Sequence, residues 1–168
     1  NIAINGSDIY VVGFFTTIGG QPRNYIAKLN NIDGAADLTW NPNAGSMINC
    51  ITIDGNDIYV GGDFSLIDGQ PRNRIAKLDK TTGTVDLTWN PNSSSVYIGN
   101  YFGVLSIVVS GSDIYVGGAF GTMGGQIRRN IARLNNTDGA ADLTWNPIAS
   151  DQVESIALNG SDIYAGGY

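Results

Sequence analysis

The sequence predicts an all-β chain in which small sheets of four antiparallel strands recur along the polypeptide. Three observations predict it. One phrase of about 49 residues repeats through all 168 residues. Glycine-rich turn dipeptides punctuate it at fixed offsets. Between them, apolar and polar residues alternate with the two-residue period of a strand, and no stretch has helical periodicity.

The repeat is fixed by its register. Ser-Asp-Ile-Tyr or Asn-Asp-Ile-Tyr recurs with Asp8, Asp57, Asp113 and Asp162, at spacings of 49, 56 and 49. Leu-Thr-Trp-Asn-Pro recurs with Trp40, Trp89 and Trp145. From each Asp to the following Ile26, Ile75 or Ile131 is 18 residues, and from that Ile to the Trp is 14. The next step, Trp to Asp, is 17, then 24, then 17, so one seven-residue insertion after Trp89 accounts for the whole irregularity.

The second copy shows the expected elements in order. Ile48 to Asp54 alternates and reads as the first strand. Asp54-Gly55-Asn56 is a hairpin turn; Asn5-Gly6 and Asn159-Gly160 hold the same place, and Asn-Gly suits a turn with positive φ. Ile58-Tyr59-Val60 opens the second strand, which closes on Gly61-Gly62. A loop with Gly69, Gln70 and Pro71 leads to the third strand, Arg74 to Leu78. A turn around Thr82-Gly83 follows, matched by Asp33-Gly34 and Asp138-Gly139. Val85, Leu87 and Trp89 are expected on one face of a fourth strand, which Pro91 ends.

Four short antiparallel strands with paired glycines and one Trp per repeat describe a β-propeller blade. A single blade cannot bury its two faces, whereas blades stacked around an axis bury both. The chain divides into blade 1 at about 1–43, blade 2 at about 47–92, blade 3 at about 103–148 and half of a fourth blade at about 152–168. All belong to one array over 1–168. Residues Gly34 to Pro42 and Gly139 to Pro147 are identical, as in a long homogeneous array. Both ends of the chain fall inside repeat phrases, which is expected of a piece of a longer polypeptide.

The phrases Val60-Gly61-Gly62-Asp63-Phe64, Gly69-Gln70-Pro71-Arg72-Asn73-Arg74-Ile75-Ala76-Lys77-Leu78 and Trp89-Asn90-Pro91 make the chain resemble the delta-60 repeat, a β-propeller family of unknown function. The double glycine is more weakly similar to kelch repeats. The resemblance implies large secreted or surface-anchored microbial proteins and implies no activity. The first copy departs from the pattern with Val12-Gly13-Phe14, and the third with Ile127 and Arg129 in place of Pro71 and Asn73.

Composition narrows the function classes. Hydrophobic residues make up 42% and charged residues 14%, enough to fold and too little charge for disorder. Twenty-three glycines against five prolines suit many tight turns. The net charge of -6 offers no footprint for nucleic acid and disfavours anionic membrane surfaces. No apolar run approaches the roughly 18 residues of a membrane-spanning helix, so no insertion is expected. With no histidine, the chain lacks Cys–His and Ser–His–Asp machinery and the usual zinc sets; no cofactor or metal is expected. Cys50, the one cysteine, reads as a small core residue between isoleucines.

Candidate binding residues lie on one face. Antiparallel order brings the loop between strands two and three, and the loop between blades, to the same face. That face carries Arg23, Arg72 and Arg128, and the insertion with Tyr97, Tyr101 and Phe102. The arginines recur at one offset, so a blade-building Arg–Asp pair with Asp37, Asp86 or Asp142 comes before a ligand role. The insertion aromatics pack locally or form a site. Asp63 and Asp68 have no counterpart in the other copies and are the carboxylates available to a hydrolase. The Asp-Gly turns lack the ligand series of a calcium loop. Sequons stand at Asn5, Asn92, Asn135 and Asn159. The expected function is therefore a non-catalytic structural or adhesive module of a larger extracellular or cell-surface repeat protein, fibre-forming in one version. Its partners are further copies of the repeat or neighbouring propellers. The alternative is a glycan- or protein-binding propeller using the loop face.

Overall fold

A computed structural model describes residues 1–94 and 103–168. All its regular structure is strand. Blade 1 holds β1 (Ile2–Asn5), β2 (Asp8–Val12), a two-residue hairpin β3 (Thr17–Ile18) and β4 (Gln21–Pro22), and β5 (Ile26–Asn30). Blade 2 repeats this as β6 (Ile48–Asp54), β7 (Asp57–Gly62), β8 (Leu66–Ile67), β9 (Gln70–Pro71) and β10 (Ile75–Asp79). Blade 3 follows with β11 (Val104–Ser110), β12 (Asp113–Gly118), β13 (Thr122–Met123), β14 (Gln126–Ile127) and β15 (Ile131–Asn135). A final hairpin pairs β16 (Val153–Asn159) with β17 (Asp162–Gly167). Every pairing is antiparallel, with the first three blades ordered β1-β2-β5, β6-β7-β10 and β11-β12-β15.

The expected fourth strand is reduced to one bridge per blade: Leu29–Ala36, Leu78–Val85 and Leu134–Ala141. Competing hydrogen bonds explain why pairing stops there. The Asp86 amide donates to Lys77 O at 2.8 Å, as a fourth strand requires. The next ladder acceptor, Asp86 O, is taken by Arg72 Nη2 at 2.9 Å. The Asp86 carboxylate then accepts the Thr88 amide and hydroxyl at 2.8 and 2.7 Å and the Trp89 amide at 3.3 Å, turning the chain away. Asp37 and Asp142 do the same. Leu87 consequently does not share a face with Val85 and Trp89; it is 66% exposed while they are buried.

The blades stack face to face. The side of blade 1 carrying Tyr10, Ile26 and Trp40 packs on the side of blade 2 carrying Ile51, Ile58, Val60, Ala76 and Leu78. Tyr59, Ile75 and Trp89 of blade 2 meet Ile107, Ile114, Val116, Ala132 and Leu134 of blade 3 in the same way. Tyr115, Ile131 and Trp145 meet Val153, Ile156, Leu158 and Ile163 of the final hairpin. Each Trp stands edge-on to the Tyr of its own blade, 5.3 to 5.4 Å between ring centres. Trp40 Nε1 donates to Lys80 O at 3.1 Å and Trp89 Nε1 to Asn135 O at 3.0 Å, each in the next blade. The first strands are neighbours too: Thr52 Oγ1 donates to Ile107 O at 2.6 Å and Asn49 Nδ2 to Val104 O at 3.2 Å. Gly61 exists for this approach, since a methyl there would overlap the Val104 side chain and lie 2.8 Å from Cys50 Sγ.

Candidate functional site

The two sets of loops do share one face. Ala44 N donates to Asn24 O, Ser93 N to Asn73 O and Ala149 N to Arg129 O, at 3.2 to 3.3 Å. Side chains repeat the tie: Asn24 Nδ2 meets Asn43 Oδ1 at 2.7 Å and Asn73 Nδ2 meets Asn92 Oδ1 at 2.5 Å.

Arg23, Arg72 and Arg128 are inside the blades, 5 to 6% exposed. Each donates from Nη1 to the preceding carbonyl, of Pro22, Pro71 or Ile127, at 2.7 Å. Each also donates from Nη2 to the main-chain carbonyl of Asp37, Asp86 or Asp142. The arginines therefore bridge loop to strand, and their contact with these aspartates is through the backbone, not the expected carboxylate. Tyr97, Tyr101 and Phe102 lie outside the described residues.

The carboxylates are claimed by a cation on the third strand, which sequence reasoning passed over. Lys28 lies 3.1 Å from Asp8 and 3.4 Å from Asp37. Lys77 lies 3.2 Å from both Asp57 and Asp86, and Arg133 takes Asp113 and Asp142 at 3.6 and 2.5 Å. The signal was present, because an Asp, a Lys or Arg, and a second Asp recur at constant offsets in all three copies. Burial works to raise the Asp86 carboxyl; the Thr88 hydroxyl and amide, Lys77 and the Trp89 amide outweigh it and bring it to about 2. The Thr144 hydroxyl, with the Trp145 and Thr144 amides, holds Asp142 lower still. A shallow cleft of about 230 Å³ opens beside the Asp8–Lys28–Asp37 triad. The same triad recurs in each blade as a sheet tether.

Asp63 is half-buried, and burial raises its carboxyl against the opposing charge of Arg74. Asp68 has a local task. It takes the left-handed turn (φ 51°) held by Gly19 and Gly124 in the other copies, and its Oδ2 accepts the Val85 amide at 2.9 Å. Cys50 is buried, and burial pushes its thiol up to about 12, which makes it a core residue and a poor nucleophile. Among the described residues, no three His, Cys, Asp or Glu side chains cluster to hold a metal ion. Asn5, Asn92 and Asn159 are exposed, while Asn135 is half-buried with its Oδ1 on the Thr137 and Asp138 amides.

One constellation on the loop face differs from blade to blade. Phe14, two residues past the end of β2, is 83% exposed and stands 6.0 Å from the ring of Tyr25 at 42°. The same places are held by Asp63 and Arg74 in blade 2 and by Ala119 and Asn130 in blade 3. The departure at Val12-Gly13-Phe14 was its trace in the sequence.

A family described as "Domain of unknown function (DUF5122) beta-propeller" matches residues 8–39, 56–88 and 112–144. No curated protein matches the chain. Among solved structures, the crystal structure of the computationally designed Ika4 protein is similar, with a TM-score of 0.60 at 12% identity, covering 98% of this chain and 82% of that one. At that identity the likeness concerns the fold alone.

Proposed function

We propose a structural role, starting from the fact that the chain belongs to the DUF5122 β-propeller family: it is a stacking module that takes further blades of the same repeat on both of its end faces. The observation that carries this reading is that the two ends present the two halves of the interface buried between blades. Ile2 and Ile4 of blade 1 are 61% and 68% exposed, where their equivalents in blade 2 are the 8% exposed Ile51 and the half-buried Ile53. Gly34 faces open space, where a methyl on its counterpart Gly83 would lie 3.1 Å from the Trp40 indole nitrogen and one on Gly139 would press on Pro91. At the other end Tyr164 is 55% exposed, where Tyr59 and Tyr115 are buried. Gly166 faces open space, where Gly61 and Gly117 meet valines of the next blade. One end thus lacks a Tyr/Trp face and the other lacks an isoleucine face.

The module is non-catalytic in this reading, since its ionisable groups serve as sheet tethers and turn caps. Its setting is a larger extracellular or cell-surface repeat protein, which the delta-60 resemblance suggests, with adhesion or fibre formation as the use.

Adding a copy of residues 1–49 ahead of Asn1 tests the reading, because the new junction reproduces that between Asn49 and Cys50. The expected result is one cooperative unfolding transition at higher temperature, with slowed amide exchange in β1 and β2. An added repeat that melts separately and leaves β1 exchange unchanged defeats the proposal. For the fibre version, electron micrographs of the native polypeptide are expected to show long unbranched particles; compact monomers count against it.

A further inference from the structure

We infer that Phe14 and Tyr25 form a binding platform for the ring of a neutral pyranose saccharide on the loop face. This inference does not depend on the stacking reading.

The backbone beneath the pair is the same in every blade. Tyr25, Arg74 and Asn130 all have left-handed φ, at 66°, 67° and 64°. Their amides donate to the carbonyls of Phe15, Phe64 and Phe120 at 2.9, 2.8 and 3.0 Å. What changes is the side chain. In blades 2 and 3 it ties down the next inter-blade loop: Arg74 Nη1 reaches Ser93 O at 3.5 Å and Asn130 Nδ2 reaches Ala149 O at 3.1 Å. Tyr25 has no amide or guanidinium to make that tie, and its ring turns to Phe14 instead.

Folding accounts for only part of this choice: Tyr25 is half-buried against the core between blades 1 and 2, whereas Phe14 beside it is exposed. A bulky residue at positive φ is strained, and Asn, used at this site in blade 3, tolerates the conformation better. An 83% exposed Phe adds unfavourable apolar surface that Ala119 avoids at the equivalent place. An exposed Phe set against a half-buried Tyr that the core holds in place is an aromatic surface fixed on a rigid loop, as recognition requires.

The surroundings choose the ligand class. The Asn24–Asn43 amide pair adjoins Tyr25 in the chain, and Thr16 and Thr17, two and three residues after Phe14, are exposed. Aromatic faces accept the axial C–H groups of a pyranose, and amides and hydroxyls exchange hydrogen bonds with its hydroxyls. Nucleic acid and acidic polysaccharides are opposed by the net charge of -6. A protein partner needs roughly 800 Å² on each side, far more than two rings supply.

The test is calorimetric titration and saturation-transfer NMR of the 168-residue chain with cellohexaose, maltohexaose, xylohexaose, mannohexaose and chitohexaose. At least one is expected to bind with a millimolar constant or better, on the order of 4 kcal/mol. Phe14→Ala installs the side chain blade 3 carries there and leaves the Tyr25 core packing in place, so its melting temperature should hold while affinity falls about tenfold or more, and the double variant Phe14→Ala/Tyr25→Asn should bind no better. Asp63→Ala/Arg74→Asn makes the same exchange in blade 2 and should leave binding unchanged. Either of two results overturns the inference: silence from all five saccharides at millimolar concentration, or undiminished binding by the Phe14/Tyr25 variant. A concentration-dependent dimer that the same variant abolishes, with no saccharide response, also overturns it and assigns the rings to self-association.

Discussion

Replacing Trp89 and Trp145 in parallel measures what one inter-blade contact contributes, because the two share a local sequence and differ in what covers them. Trp89 is fully buried between blades 2 and 3, while Trp145 is only partly covered by the final hairpin. A Trp side chain removes roughly 200 Å² from water, or about 5 kcal/mol at ~25 cal/mol per Å². The bond from Nε1 to Asn135 O, 3.0 Å long, adds about 1 kcal/mol. Incomplete collapse of the unfolded reference lowers that upper bound, so Trp89→Ala should cost about 3–5 kcal/mol. Trp145 keeps its edge contact with Tyr115, but among the described residues its Nε1 has no acceptor. Trp145→Ala should therefore cost about 2 kcal/mol. Because Trp89→Ala approaches the whole stability of an ordinary domain, Trp89→Phe serves as the milder probe, at about 2 kcal/mol. Urea unfolding followed by circular dichroism gives the differences. Equal losses at the two positions would refute the claim that the next blade, and not the parent sheet, is what each Trp stabilises.

Acid is the second perturbation. The folded-state carboxyls of Asp37, Asp86 and Asp142 lie below their ordinary value of 3.8, Asp86 at about 2. A depressed folded pKa contributes stability above the unfolded pKa and loses it as pH falls through the folded one. Stability should thus be level near neutrality and decline between about pH 4 and pH 2; a melting temperature unchanged over that window contradicts the assignment. Gly61→Ala forces a methyl onto Val104 and should cost about 1–3 kcal/mol by overpacking. Gly166→Ala, with nothing within 4 Å, should be neutral within about 0.5 kcal/mol in the same unfolding experiment. Leu87→Lys should also stay within about 0.5 kcal/mol, whereas a larger loss would restore the fourth strand.

Much of the fold was legible because its determinants are local. The Asn-Gly, Asp-Gly and Ser-Gly turns need positive φ, and Gly6, Gly55, Gly111 and Gly160 adopt it between paired strands. The alternation of Ile58, Tyr59 and Val60 marked two faces, and both are buried, one on each neighbouring blade. The candidate site was less legible. Arg23, Arg72 and Arg128 were read first as blade-building partners of Asp37, Asp86 and Asp142, but they reach the main-chain carbonyls and not the carboxylates, because a constant offset says only that each blade uses them. Lys28, Lys77 and Arg133 escaped notice because a charge in a strand reads as solvent-facing until two carboxylates, one from the neighbouring strand and one from the turn beyond the bridge, are seen to meet it.

The order of turns, the 49-residue register and the need for neighbouring sheets follow from the amino acids alone, since a two-sided apolar sheet of this size has no other way to leave water. Tertiary structure decided whether Asp86-Leu87-Thr88-Trp89 continues the sheet. Alternation favours a strand there, yet the Arg72 guanidinium and the Asp86 carboxylate take the hydrogen bonds that a strand needs. That competition depends on a loop 14 residues away, and no local pattern carries it.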